Sequence, residues 1–297
     1  MVVLSPRRPS VQDAFAHCER LARSHYENFT VVSWFLPRTL RPSLYSIYAF
    51  CRQTDDLGDE AEGDRLALLD AWEKDLLRCY RGEPEAPTLL ALQRTIQRHE
   101  IPAEPFVKLI EANRMDQRQK RYPTYGDLLR YCDHSANPVG RMVLHVFGYR
   151  DEERQRLSDA TCTALQLANF WQDVRRDYAM GRIYLPLEDM ERFGYTETEL
   201  ARGDHNGRFR DLMAFQVERA RALFRQGERL ASMVRRELRL DLRLFTAGGL
   251  AVLDAIQHLD YNVLTARPAL SRATKARLTI GAAANLAAQR LFGAGRG

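Results

Sequence analysis

The polar positions of residues 164–177 (ALQLANFWQDVRRD) form one stripe among apolar neighbours. Their spacing of i, i+3, i+7 and i+11 places them on one face of a helix. A surface helix ordinarily shows the opposite pattern, an apolar stripe on a polar cylinder. The sequence therefore predicts a helix that is buried on most sides and carries two amides and two carboxylates on the remaining face. These residues are Gln166, Asn169, Asp173 and Asp177.

A second polar stripe lies in residues 44–60 (LYSIYAFCRQTDDLGDE), and apolar residues surround its first half. Buried carboxylates need counter-charge, because an unpaired buried charge is very costly. Carboxylate oxygens without histidine or cysteine partners favour a hard cation, and Mg²⁺ is the usual one beside phosphates. An arginine on the same face would add a charge-assisted contact to such a phosphate. The stripe consists of Tyr48, Arg52, Asp55 and Asp59, and Asp56 lies off it.

Helical periodicity continues through most of the chain, and strand signals are nearly absent. Prolines mark where helices should start or stop. Residues 180–207 are predicted to be mostly irregular, with a capping box at Thr196–Glu199 that opens a short helix. The predicted helices cover residues 11–35, 42–58, 64–82, 87–99, 104–118, 125–148 with an interruption at Pro138, 151–179, 208–236, 238–265 and 269–292.

Composition and charge narrow the class of protein. The chain has 297 residues, of which 45% are hydrophobic, and no flexible linker divides it, so we expect one all-α domain over 1–297. No run approaches the roughly 20 apolar residues of a membrane span, and the N-terminus lacks the apolar core of a secretory signal. We therefore expect a cytoplasmic protein. Five scattered cysteines argue against disulfides and a structural zinc site.

The net charge of +5 suits an anionic partner. Basic residues alternate with acidic ones and no recognition motif accompanies them, which argues against nucleic acid. A phosphorylated substrate or an anionic lipid surface fits better. We therefore expect loose association with the inner face of a membrane.

The segments YAFCRQTDDLGDE and ALQLANFWQDVRRD…GRIYLP resemble the two aspartate-rich motifs of the squalene and phytoene synthases. The resemblance covers roughly residues 15–275 and implies a single-domain, isoprenoid-synthase-type helix bundle with a central cavity. It also implies two or three Mg²⁺ ions and a prenyl diphosphate substrate. Carried over by position, it makes Asp55, Asp59, Asp173 and Asp177 the metal ligands, with Tyr48 and Asn169 as further catalytic residues. The substrate-binding residues that it implies are Arg52, Gln166, Arg182, Tyr184, Tyr26, Asn28, Asn137 and Tyr261.

Two departures from the condensing members point to one branch of the family. SHYENF (24–29) has Tyr26 and Asn28 where those members carry serines that help hold a second prenyl diphosphate, and SANPVGR (135–141) replaces their VAGTVG. Both variants resemble bacterial hydroxysqualene synthase of hopanoid biosynthesis, a lyase that converts presqualene diphosphate with water and without NADPH. This branch would exchange intermediates with a presqualene diphosphate synthase and a squalene-forming reductase. No Gly-rich dinucleotide motif is present either.

Two alternatives remain at this point. A condensing head-to-head synthase of the presqualene diphosphate or phytoene type would join two prenyl diphosphates. A non-catalytic family member would serve as an assembly factor, although such a protein should have lost its aspartates. Water delivery is assigned to Tyr26, Asn28, Asn137 or Asn169, with His25 and His134 nearby. Aromatic faces for a carbocation could come from Phe29, Trp34, Phe50, Phe170 and Trp171, which could equally be core residues.

Overall fold

The computed structural model describes residues 10–24, 36–82 and 84–268, and the statements below concern these residues. They form no β-strand, and their one isolated bridge joins Arg121 to Ile183. The all-α prediction is confirmed. The helices are α1 (Val11–Ser24), α2 (Arg41–Asp59), α3 (Arg65–Arg81), α4 (Pro87–His99), α5 (Glu104–Arg118), α6 (Tyr125–Ser135), α7 (Asn137–Val146), α8 (Glu152–Ala179), α9 (Leu187–Arg192), α10 (Glu197–Arg202), α11 (Gly207–Gly227), a 3-10 helix (Glu228–Ser232) and α12 (Arg236–His258).

The described chain divides into two compact units. The first comprises the described residues of Met1–Arg118 together with Arg141–Arg150, and the second comprises those of Gln119–Gly140 and Asp151–Gly297. Helix α7 therefore begins in the second unit and ends in the first. The prediction of a single domain over 1–297 stays a prediction.

Helix α2 is the central element of the first unit, where it packs against α1, α3, α4 and α5. Phe50 is fully buried; its ring stacks on Trp72 at 5.7 Å and meets Phe106 edge-on at 5.2 Å. The indole nitrogen of Trp72 donates a 2.9 Å hydrogen bond to the Thr54 hydroxyl, so this buried polar pair is satisfied. Packing against these four helices buries the apolar residues of α2.

Helix α8 has the same position in the second unit and packs chiefly against α11 and α12. Asp151 begins it, since the Asp151 side chain accepts a hydrogen bond from the Arg154 amide. Close approach to α11 requires Gly227, because a Cβ there would lie 2.1 Å from the Thr161 hydroxyl. Gly227 also ends α11, and the chain continues as a 3-10 helix. The predicted continuous helix 208–236 is therefore wrong in its last third, where glycine both packs tightly and has a low helix propensity.

Several other predicted boundaries need correction. The interruption predicted at Pro138 lies two residues earlier, at Ala136, because α6 ends at Ser135 and α7 starts at Asn137. Residues 180–207 contain two short helices, and the second opens with the predicted capping box of Thr196 and Glu199. The predicted helix 238–265 ends at His258. The predicted helix 269–292 and residues 25–35 of the first lie outside the described residues.

Candidate active site

The first acidic stripe has the accessibility that its pattern predicts. Leu44, Ile47 and Phe50 on α2 have no exposed surface. Asp55 and Asp59 are solvent-exposed, and Tyr48 and Arg52 are half-buried. The apolar residues of α2 are thus buried in the protein, and its polar stripe is accessible to solvent.

Helix α5 supplies the immediate surroundings of Asp55. The side-chain amide of Asn113 donates a 3.3 Å hydrogen bond to Asp55 Oδ1, and that of Gln117 donates a 2.9 Å bond to the Gly58 carbonyl. A Cβ at Gly58 would lie 2.1 Å from the Asn113 amide oxygen, so glycine is needed for this approach. Asn113 is a site residue that the sequence pattern did not indicate, because nothing on α5 is in phase with an acidic stripe.

The pKa of Asp55 is raised to about 6, well above the ordinary value for an aspartate. Desolvation is the largest cause, and the neighbouring charge of Asp59 adds to it, whereas the hydrogen bond from Asn113 opposes the shift. A nearby positive charge would lower this pKa and favour the anionic form of Asp55. A cation bound at this position would supply it.

Arg52 is paired on its own helix and at the helix end. Its guanidinium lies 2.6 Å from Asp56 Oδ1 and 2.9 Å from Glu60 Oε1. Asp56 is therefore the partner of Arg52, which agrees with its predicted place off the stripe. Its carboxylate neutralises the arginine that the resemblance assigns to the diphosphate.

The second stripe shows the same arrangement on α8. The exposed fraction is at most 1% for each of Leu167, Ala168 and Trp171. The four polar residues between them are accessible: Asn169 is exposed and Gln166, Asp173 and Asp177 are half-buried. The inverted pattern read from the sequence thus describes both helices.

Arg267 is paired with Asp173 in this second stripe. Its Nε lies 2.5 Å from Oδ1 and its Nη2 lies 3.0 Å from Oδ2, which is a bidentate contact. Arg267 also donates to the Gln172 side chain at 3.3 Å. Sequence reasoning missed Arg267, because an isolated arginine before Pro268 belongs to no periodic pattern.

A tight turn follows α8 and carries Arg182 and Tyr184. Gly181 has φ +80°, and the amides of Gly181 and Arg182 bond back to the carbonyls of Tyr178 and Asp177 at 2.9 and 2.8 Å. This is the Schellman ending, which requires a left-handed residue and explains the glycine of GRIYLP. It fixes the Arg182 backbone beside that of Asp177.

Tyr184 is the centre of an aromatic cluster in the second unit. Its ring stacks on Phe170 at 3.8 Å and lies 5.5 Å from Tyr122 and 5.8 Å from Tyr131. A small cavity is lined by Phe170, Tyr184, Arg182 and Asp177 among others. Phe170 is thus placed at the cavity. Tyr122 and Tyr131 are cluster members that the sequence pattern did not single out.

The remaining predicted residues have varied surroundings. Asn137 is buried and its side-chain oxygen accepts a 2.9 Å hydrogen bond from Thr163. Tyr261 lies beyond the end of α12 in a left-handed turn with φ +62°, and its expected place within the C-terminal helix is therefore wrong. His134 bonds the Arg130 carbonyl one turn back. Phe50 and Trp171 are core residues, while Tyr26, Asn28, His25, Phe29 and Trp34 lie outside the described residues.

The carboxylates of the two stripes fit a Mg²⁺ ion that is also bound by phosphate oxygens. The described residues contain no group of three or more histidine, cysteine or acidic side chains that could hold a metal without other ligands. Mg²⁺ commonly takes one or two carboxylates and completes its octahedron with water and phosphate oxygens. The two accessible aspartate pairs, Asp55 with Asp59 and Asp173 with Asp177, each offer such a partial set.

Comparison with known proteins decides the family. Residues 22–274 match the family described as Squalene/phytoene synthase. The chain belongs to this family. A 15-cis-phytoene synthase of Synechococcus elongatus is 34% identical over 90% of this chain and 93% of its own.

Two solved structures of family members are similar to this chain. Squalene synthase HpnC from Alicyclobacillus acidocaldarius is 54% identical, with a TM-score of 0.83 over 85% of this chain and 96% of its own. A dehydrosqualene synthase is 28% identical, with a TM-score of 0.84 over 94% and 98%. The predicted isoprenoid-synthase-type fold is thereby confirmed.

Family membership establishes the general activity. The squalene/phytoene synthases are prenyltransferase-like enzymes that act on prenyl diphosphates, and they use a divalent metal ion to ionise the diphosphate. The substrate class expected from the two stripes is consistent with this. Within the described residues, no helix is both long and apolar enough to cross a membrane.

Proposed function

We propose that this family member is a hydroxysqualene synthase of hopanoid biosynthesis. It converts presqualene diphosphate and water into hydroxysqualene and diphosphate. The observation that carries the ionising step is the pair of accessible aspartate stripes on two helices whose apolar residues are buried. The choice of reaction rests on the SHYENF and SANPVGR segments and on the 54% identity to a squalene synthase.

The reaction balances without a redox partner. The carbon–oxygen bond to the diphosphate breaks, and its electron pair leaves with the diphosphate oxygen. The cyclopropylcarbinyl cation rearranges, and a water oxygen forms the new carbon–oxygen bond and loses a proton. No carbon is reduced overall, so NADPH has no part in the chemistry.

The aspartates and arginines bind and orient the leaving group. Asp55, Asp59, Asp173 and Asp177 are the residues that would hold Mg²⁺, which supplies Lewis-acid and electrostatic stabilisation of the departing diphosphate when bound. Arg182 binds a diphosphate oxygen from the turn beside Asp177. Arg52 would do the same from α2, where it is paired with Asp56 and Glu60.

The apolar part of the substrate needs a surface that excludes water and stabilises positive charge. Tyr184 and Phe170 present stacked rings at the cavity beside Asp177, and aromatic faces attract a cation. Water is oriented by one of the polar groups of Tyr26, Asn28, Asn137 or Asn169. Of these, Asn137 already uses its oxygen to bind Thr163, which leaves its amide nitrogen for a further contact.

A condensing synthase is the second candidate. It is favoured by the 34% identity to a 15-cis-phytoene synthase across 93% of that relative. The two candidates differ in what they consume, since a condensing enzyme joins two prenyl diphosphates. A non-catalytic assembly factor would have no need of four aspartates.

Separate incubations distinguish these candidates. Purified protein with Mg²⁺ would receive presqualene diphosphate, farnesyl diphosphate or geranylgeranyl diphosphate, each with and without NADPH. We expect hydroxysqualene from presqualene diphosphate alone, at a rate that NADPH does not change. A C30 product from farnesyl diphosphate, or a C40 product from geranylgeranyl diphosphate, would replace this proposal by the condensing one.

A further inference from the structure

The turn that carries Arg182 and Tyr184 is held from outside the two acidic motifs. The Ile183 amide donates a 2.9 Å hydrogen bond to the Lys120 carbonyl, and the Leu187 amide donates one of the same length to the Tyr122 carbonyl. Residues 119–123 therefore run alongside residues 181–188. The loop between α5 and α6 thus acts as a support for the turn after α8.

Arg121 makes the side-chain contacts in this support. Its Nη1 donates to the Gly181 carbonyl at 2.6 Å and to the Lys120 carbonyl at 3.0 Å. Its Nε and Nη2 bind both carboxylate oxygens of Glu197, at 3.2 and 2.6 Å. One guanidinium thus joins the turn after α8, the 119–123 segment and the first residue of α10.

These contacts place a positive charge just beyond the end of α8. The C-terminus of a helix is the negative end of its dipole, so a guanidinium near Gly181 is favourable. Gly181 is exposed and has φ +80°. As a glycine, it has no side chain whose contacts could hold this conformation. The hydrogen bond from Arg121 to its carbonyl adds a side-chain restraint to the backbone hydrogen bonds that end α8.

We infer that Arg121, oriented by Glu197, is a positioning residue that fixes the 181–184 turn and so directs Arg182 to the diphosphate and Tyr184 to the cavity. The inference rests on the proposed function only in that Arg182 is taken to bind a diphosphate oxygen. It does not depend on which prenyl product is formed. The pKa of Glu197 is lowered, chiefly by the hydrogen bond from Arg121.

A positioning role differs from a stabilising one in what its loss changes. The Arg121 and Glu197 side chains are 32% and 49% exposed, and ion pairs of this kind contribute little to global stability. Their loss should therefore loosen the turn while the melting temperature stays nearly constant. Arg130, which pairs with Asp127 at 3.1 Å and is 69% exposed, offers a matched control in the next helix.

The first test measures local order in the unliganded protein. We expect amide hydrogen exchange at residues 182 and 183 to become faster in Arg121→Gln and Glu197→Gln, and to stay unchanged in Arg130→Gln. Glu197→Gln keeps Arg121 but removes the negative charge that orients it. This variant therefore tests the ion pair while the group that bonds the Gly181 carbonyl is still present. Unchanged exchange in both variants would overturn the inference.

The second test measures binding of magnesium pyrophosphate by calorimetry. We expect Arg121→Gln to weaken binding about tenfold, the scale of the charged hydrogen bond from Arg182 to the pyrophosphate that a displaced turn would lose. In a background of Arg182→Gln, the same change should cost less than about twofold, because its effect passes through Arg182. If the two substitutions together weakened binding by the product of their separate factors, Arg121 would act by another route. That result would overturn the positioning role.

The two tests also separate this inference from the proposed function. If Arg182→Gln binds magnesium pyrophosphate as well as the unchanged protein does, then the assigned role of Arg182 is wrong. In that case the exchange measurement alone decides whether Arg121 fixes the turn. A product other than hydroxysqualene would overturn the proposed function and leave both measurements interpretable.

Discussion

Removal of the Arg267 side-chain charge should strengthen metal binding in the absence of substrate. Arg267 contacts both carboxylate oxygens of Asp173, so a metal ion that uses Asp173 must displace it. Arg267→Gln removes this competitor and one positive charge near the metal. The expected result is a higher affinity for a divalent ion at the Asp173 site.

The magnitude follows from the exposure of the pair. The Arg267 side chain is 50% exposed and that of Asp173 is 17% exposed, so solvent screens most of their attraction. Exposed ion pairs contribute at most about 1 kcal/mol, and the bidentate geometry places this one near that upper limit. Since 1.4 kcal/mol corresponds to a factor of ten, we expect an affinity gain of about fivefold.

Electron paramagnetic resonance of free Mn²⁺ during titration measures this affinity directly. Arg221→Gln is a suitable control, because Arg221 pairs with Asp254 at 2.7 Å on α11 and α12 and its loss changes the net charge equally. Adding Asp173→Asn to Arg267→Gln should abolish the gain. Equal or weaker Mn²⁺ binding in Arg267→Gln would refute the competition between arginine and metal.

Substitutions at the metal ligands and at the end of α4, together with a liposome assay, have definite expected results. Asp55→Asn and Asp173→Asn should each lower kcat at least ~100-fold, the scale of losing one electrostatic stabiliser, and full activity in either would contradict the metal assignment. Glu100 has φ +52° at the end of α4, a conformation that only glycine adopts freely. Glu100→Gly should therefore be more stable than Glu100→Ala by about 1 kcal/mol in urea unfolding. Equal stabilities would show that the backbone is not strained at this position. Co-sedimentation with anionic liposomes should decrease as salt rises, given the net charge of +5, and salt-independent binding to neutral vesicles would contradict an electrostatic contact.

Local periodicity explains why the two functional helices could be predicted from the sequence. Apolar residues such as Phe50 and Trp171 fall outside the polar stripe of their helix, and burial in the structure follows the same division. Capping at Thr196 was predictable for the same reason, since the box depends only on residues three apart. Features set within one or two helical turns are therefore accessible to sequence analysis.

Features that depend on distant parts of the chain were not predictable in this way. Asn113 reaches Asp55 from 58 positions away, and Arg267 reaches Asp173 from 94 positions away. Neither has a local pattern that signals its partner. The end of α11 at Gly227 similarly depends on packing against Thr161. The helical pattern of the sequence continues beyond this glycine and gives no signal of the end.

Incorporation of labelled oxygen shows whether water captures the carbocation. The protein would be incubated with Mg²⁺ and presqualene diphosphate in water enriched in ¹⁸O, without NADPH, and the C30 product analysed by mass spectrometry. We expect hydroxysqualene that carries one ¹⁸O atom from solvent in its hydroxyl group. An alcohol without the label, or a C30 hydrocarbon without oxygen as the main product, would contradict the capture of the cation by water.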